Sequence, residues 1–225
     1  MTTIKERGIL FSAPMVRALL DGRKNVTRRA VKGTALEWLE EFDPAYVASS
    51  DNGLCPYGKP GDRLWVRETW SDVNLHGAPG IAYRADGDVR DLMEDESFLD
   101  DDRAFNYNDS RLEMYSFACW SEDLMSGVEG RWRPSIFMPR WASRILLEIT
   151  DVRIERLNNI TTQQCQAEGY PAEREAEARG SELDVWLWYR GLWEQINGPG
   201  SFGTQWVWVV EFKQATRTSN LTNQD

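Results

Sequence analysis

Near the C-terminus runs Thr204-Gln-Trp-Val-Trp-Val-Val-Glu-Phe-Lys213, a nearly continuous series of β-branched and aromatic residues. A strand with no polar face needs cover on both sides, so this one belongs in the middle of a sheet or barrel. The rest of the chain must supply its neighbours. Arg63-Leu-Trp-Val-Arg-Glu-Thr69 follows the turn Pro60-Gly61-Asp62 and reads as a strand. Leu64, Val66 and Glu68 would share one face, placing a carboxylate beside apolar neighbours unless that end meets water. Buried there, it would need a proton or an arginine partner. Arg144 to Thr150 and Val152 to Leu157 form either one long strand bulged at Asp151 or two separate strands.

Three stretches carry helix signals. Ser12 to Gly22 has a capping serine, a tolerated first-turn proline and a glycine stop. Ile160 to Gly169 begins with a Thr161/Gln164 capping box and ends at Gly169, with Glu168 at its C-terminal end. The partial negative charge of a helix end favours the protonated form of a carboxyl placed there, the form a proton donor needs. Glu182 to Asn197 lies between a Ser181 cap and Gly198, and Leu183, Trp186, Leu187, Leu192, Trp193 and Ile196 are expected to face a core. From about Ser71 to Ser143 no periodicity holds, and Asp86 to Asp102 is strongly acidic. This stretch reads as a loop-rich insertion folding over the main body, with a solvated acidic loop inside it. The organisation expected is one domain over 1–225, with the insertion at about 71–143 and a frayed tail from about 214.

Bulk properties exclude several roles. No apolar run approaches the ~20 residues of a membrane span, and the N-terminal Met1-Thr-Thr-Ile-Lys-Glu-Arg lacks a signal peptide's apolar stretch. A cytoplasmic protein with no membrane partner is expected. The net charge of −10 argues against a nucleic-acid polymer as partner, since such binding depends on neutralising phosphates. A small nucleoside remains compatible, and 11 tryptophans offer packing or base stacking. Cys55, Cys119 and Cys165, with the single His76, show no paired metal-ligand spacing, so neither a metal nor a cofactor is expected. His76, in a Gly/Pro-rich loop, reads as a solvated side chain.

Against this acidic background stands Gly22-Arg-Lys-Asn-Val-Thr-Arg-Arg29. A lysine among permanent cations is disfavoured in its charged form, so Lys24 can act as a base toward the Thr27 hydroxyl. Solvated basic residues closing a helix would give the same spacing. On a regular strand Thr27 and Arg29 would lie opposite Lys24 and Arg28, so Lys24 would reach Thr27 only through a bend.

The pattern Gly22-x-Lys24-x-x-Thr27-x-Arg29 resembles the ASCH-domain signature Gly-x-Lys-x-x-Glu-x-Arg. Gly61-Asp-Arg-Leu-Trp-Val-Arg-Glu-Thr-Trp70 and the Trp206 to Lys213 strand are similar to longer phage- and prophage-associated members, over nearly the whole chain. The resemblance implies an α+β, PUA-like fold: a small mixed β-barrel flanked by helices, with a cleft beside the signature loop. Thr27 departs from the general signature, but the small bacterial N4-acetylcytidine amidohydrolases of this superfamily also carry threonine there. Their catalytic lysine and threonine fall on Lys24 and Thr27, and their catalytic glutamate falls on Glu168. The implied activity is hydrolysis of the N4-acyl amide of an acylated cytidine or cytosine, a small-molecule partner. Arg23, Arg29, Glu68, Trp132, Arg133 and Ser135 are candidate substrate contacts. The insertion has no counterpart in those shorter enzymes. A non-catalytic module for RNA or a modified base, a single-strand ribonuclease and a phage assembly protein are the rival expectations.

Overall fold

The computed structural model describes residues 3–178 and 181–215, and the expected tail beyond residue 215 lies outside them. Two compact units divide the chain: Met1–Ile9, Ala18–Val66 and Arg144–Asp225 form one, and Leu10–Arg17 with Arg67–Ser143 the other. The fold is α+β with two sheets. Among the described residues no helix is long and apolar enough to cross a membrane.

The larger sheet contains β1 (Glu6–Leu10), β2 (Val26–Ala30), β3 (Arg63–Arg67), β7 (Leu146–Arg156) and β8 (Trp206–Gln214), in the order β1-β3-β7-β8-β2. The apolar C-terminal run is β8, which pairs antiparallel with β7 on one side and β2 on the other. Its Val207, Trp208, Val209 and Val210 are all buried, as a strand covered on both faces requires. Leu64 and Val66 of β3 are buried in alternation with half-buried neighbours. β7 is one strand, and its pairing steps from Ile149 opposite Phe212 to Asp151 opposite Glu211, the bulge expected at Asp151.

The sheet is open, which corrects the expected closed barrel. At the β2 end a turn stands where another strand would have to lie. The Asn25 N–H donates to Ala167 O, and Lys24 forms an isolated bridge with Glu168.

Helices flank this sheet. α1 (Ala13–Leu20) leads toward β2, and α2 (Thr34–Trp38) and α3 (Pro44–Ala48) follow it. α5 (Thr162–Ala167) starts with the Thr161/Gln164 capping box, and α6 (Ala172–Ala178) precedes α7 (Glu182–Asn197). On α7 the buried side chains are Val185, Tyr189 and Trp193, packed against Val26, Cys165, Val207 and Val209. The expected stripe is corrected: Leu183, Leu187 and Ile196 are exposed. At 100° per residue the six expected positions wrap most of the helix, whereas i, i+4 and i+8 fall on one narrow face.

The second unit has its own sheet and core. β4 (Trp70–Leu75), β5 (Ala78–Tyr83) and β6 (Val89–Asp91) pair antiparallel, and α4 (Ser121–Ser126) packs against β4. Trp70, Tyr83, Phe98 and Phe105 anchor the core, with Tyr115 and Trp141 packed against it. His76 is exposed in the β4–β5 turn, as expected of a loop histidine. The acidic run is not one solvated loop. It contains β6 and is pinned inward by the fully buried Leu92 and Phe98.

Candidate active site

Lys24 stands one residue before the start of Asn25-Val26, where α1 has ended and the chain turns into β2. The turn is closed locally: the N–H groups of Arg23 and Lys24 both donate to Ala18 O, at 2.9 and 3.0 Å. Gly22, with φ of 71°, takes the left-handed conformation that such a helix exit favours. The lysine is therefore not part of the regular strand.

Its Nζ donates to Glu168 Oε2 at 2.7 Å, to Glu168 O at 2.9 Å and to Val26 O at 2.8 Å. The Asn25 carbonyl accepts from Phe212 in β8. Since successive carbonyls of a strand alternate in direction, that of Val26 points to the outer edge of β2. The amine thus sits at that edge, against the peptide bond between Val26 and Thr27. Val26 and Ala30 pack into the α7 core, so Thr27 and Arg29 project from the opposite face of β2. Thr27 is buried at 1% exposure.

Glu168 caps the C-terminus of α5 and is itself buried. Its other oxygen, Oε1, accepts from Arg28 Nη1 at 3.2 Å, and Arg28 Nη2 reaches Glu155 Oε2 at 3.5 Å. Each carboxylate oxygen therefore meets a different cation, and Lys24, Glu168 and Arg28 form a buried ion triad. The alternative of solvated basic residues is set aside by burial: Lys24 and Arg28 are each 3% exposed.

Burial pushes the Lys24 pKa below its ordinary value of 10.5. The Glu168 charge and hydrogen bond pull it back up, while Arg29 and then Arg28 push it down. All three cysteines are poor nucleophiles here. Burial raises the thiols of Cys55 and Cys119, and lifts Cys165 to about 12. Among the described residues no group of three or more His, Cys, Asp or Glu is placed to hold a metal ion.

The other expected residues divide between the units. Arg23 donates to Tyr170 O at 2.8 Å and Gly169 O at 3.4 Å, so it secures the turn that carries Glu168. Arg29 lies on β2. Glu68, Trp132, Arg133 and Ser135 belong to the second unit. There Arg133 pairs with Asp72 at 2.8 Å and lies over the Tyr115 and Trp70 rings, while Trp132 packs against Val73, Ala82 and Leu124. Ser135 opens a short 3-10 turn, and Glu68 is buried just after β3.

The sequence placed Arg28 among the cations around Lys24 but not against Glu168, and Glu155 was not singled out. The available signal was alternation: with Val26 and Ala30 inward, Arg28 shares their face, and an arginine on a core face needs a carboxylate. The chain matches no family model, no curated protein and no solved structure.

Proposed function

We propose that this protein is an ASCH-type, PUA-like amidohydrolase, acting on the non-peptide C–N amide that joins an acyl group to N4 of cytidine or cytosine. The observation that carries the reading is the buried 2.7 Å contact between Lys24 Nζ and Glu168 Oε2, at the peptide bond that leads into Thr27.

The chemistry starts with a proton moving along that contact from the ammonium to the carboxylate. This leaves Lys24 as an amine and Glu168 as an acid. Lys24 then takes the Thr27 hydroxyl proton as the oxygen attacks the acyl carbon. The C–N4 bond breaks while Glu168 protonates N4, so cytidine leaves as a neutral amine and the acyl group stays on Thr27 as an ester. Water attacks the ester and gives a proton to Glu168. Lys24 returns a proton to the departing Thr27 oxygen, the carboxylic acid leaves, and Glu168 hands its proton back to Lys24. Arg29, on the Thr27 face of β2, is suited to stabilise the oxyanion, a role typically worth ~2.7–4 kcal/mol per donor.

Release of cytidine from N4-acetylcytidine, followed by chromatography, tests the assignment. Lys24→Met and Thr27→Ala are each expected to lower kcat/KM by ~10²–10⁴-fold, the range typical of removing an acid, base or nucleophile. Glu168→Gln is expected to fall in the same range. Turnover near the wild-type rate in either of the first two variants contradicts the scheme.

A further inference from the structure

A cavity of about 710 Å³ lies within the first unit and is lined by residues of β1, α3, the connection that follows it and β7. None of Lys24, Thr27, Arg28 or Glu168 lines it. Its volume falls within the roughly 300–1,000 Å³ common for small-ligand sites.

The charges of its wall are unevenly matched. Lys5, Arg7, Lys59 and Arg153 face one acid, Asp62. Asp62 is already committed: its oxygens accept from the Lys5 N–H at 3.1 Å, the Lys59 N–H at 3.3 Å and Arg7 Nη1 at 3.1 Å. Burial alone would raise its pKa, but these donors together hold it below the ordinary value of 3.8. Arg153 is met by Asp151 at 2.8 Å, Glu155 at 2.6 Å and Glu211 at 2.6 Å, none of which lines the cavity. The ammonium groups of Lys5 and Lys59 have no ion-pair partner among the described residues. Gly58 shapes the same wall: a Cβ there would fall 2.8 Å from both Arg7 Nη1 and Asp62 Oδ2, so only glycine lets that pair close.

We propose that this cavity is a second binding site, separate from the Lys24 site, for a phosphate monoester of about mononucleotide size. Two unpaired ammonium groups match a phosphate monoester carrying about −1.5 to −2 charges at neutral pH better than a single carboxylate. Ala45, Ala48, Leu54 and Val152 supply apolar lining for the body of the ligand. In a chain of net charge −10, this concentration of unpaired cations on a concave wall is the local exception.

Calorimetric titration with AMP, adenosine and inorganic phosphate tests the site. AMP should bind at least tenfold more tightly than adenosine or inorganic phosphate, and its affinity should fall with salt. The double variant Lys5→Met/Lys59→Met should weaken AMP at least tenfold. Ala48→Trp, which fills the cavity and keeps every charge, should weaken it similarly. Lys24→Met should leave AMP affinity within twofold of wild type, which separates this site from the amidohydrolase reading. The proposal is overturned by AMP binding no better than adenosine or inorganic phosphate, by equal AMP affinity in the double variant or in Ala48→Trp, by loss of AMP binding in Lys24→Met, or by no AMP binding at millimolar concentration.

Discussion

At the scale of single residues, the functional proposal turns on how loosely Lys24 holds its proton. The ammonium form has its three hydrogens met by Glu168 Oε2, Glu168 O and Val26 O, yet burial and two neighbouring arginines disfavour it. A base with a lowered pKa is deprotonated at a lower pH than a free lysine. The scheme runs on the one proton that Lys24 and Glu168 share, so the rate of N4-acetylcytidine hydrolysis should fall with rising pH through an inflection below 10.5, where Lys24 loses that proton to solvent. Arg29→Gln removes the larger of the two arginine contributions, so it should move that inflection upward. A profile with its inflection at or above 10.5, or one that Arg29→Gln leaves in place, contradicts this account. Between the folded and unfolded pKa the unfolded chain binds more protons at Lys24, so this group's contribution to stability increases as pH rises through that window. Lys24 and Thr27 stood out as candidates because residue type and spacing single them out. The pairing of Arg28 with Glu168 was not legible, because the two residues lie 140 positions apart in the chain.

At the scale of elements, the site is the junction of an edge strand with the end of a short helix. Gly169 makes that junction possible. It has a φ of 102°, and a Cβ there would lie 2.7 Å from Ala18 Cβ and 3.3 Å from Lys24 Cβ. Gly169→Ala should combine backbone strain with a clash on Lys24. A loss of more than ~1 kcal/mol of stability is expected, together with a fall in kcat. Thr161→Ala removes the capping box at the other end of α5 and should cost ~1 kcal/mol with kcat unchanged well below the melting temperature. Paired denaturation curves and kcat values check both, and equal effects on kcat would contradict the role given to the junction. Local signals explain what was readable here. The α5 capping box, the α7 ends and the Asp151 bulge each sit within a few residues of sequence. The open β2 edge and the buried face of α7 were not readable. Each is decided by a distant partner, the Ala167–Gly169 turn for one and the β2–β8 surface for the other.

At the scale of the whole molecule, the sequence marked residues 71–143 as a break in periodicity. The structure puts a three-stranded sheet at the start of that stretch, and the largely irregular remainder contributes to an aromatic core. Interleaved acids and the Pro79-Gly80 pair inside β5 hid the strands, since both depress a strand signal. The larger unit holds both the ion triad and the cationic cavity. Hydrolysis of N4-acetylcytidine in oxygen-18 water, with products read by mass spectrometry, bears most directly on the chemistry proposed for that triad. Attack at the acyl carbon predicts unlabelled cytidine and acetate carrying one heavy oxygen. Labelled uridine, which reports attack on the ring carbon, or no cytidine formed at all, would contradict it.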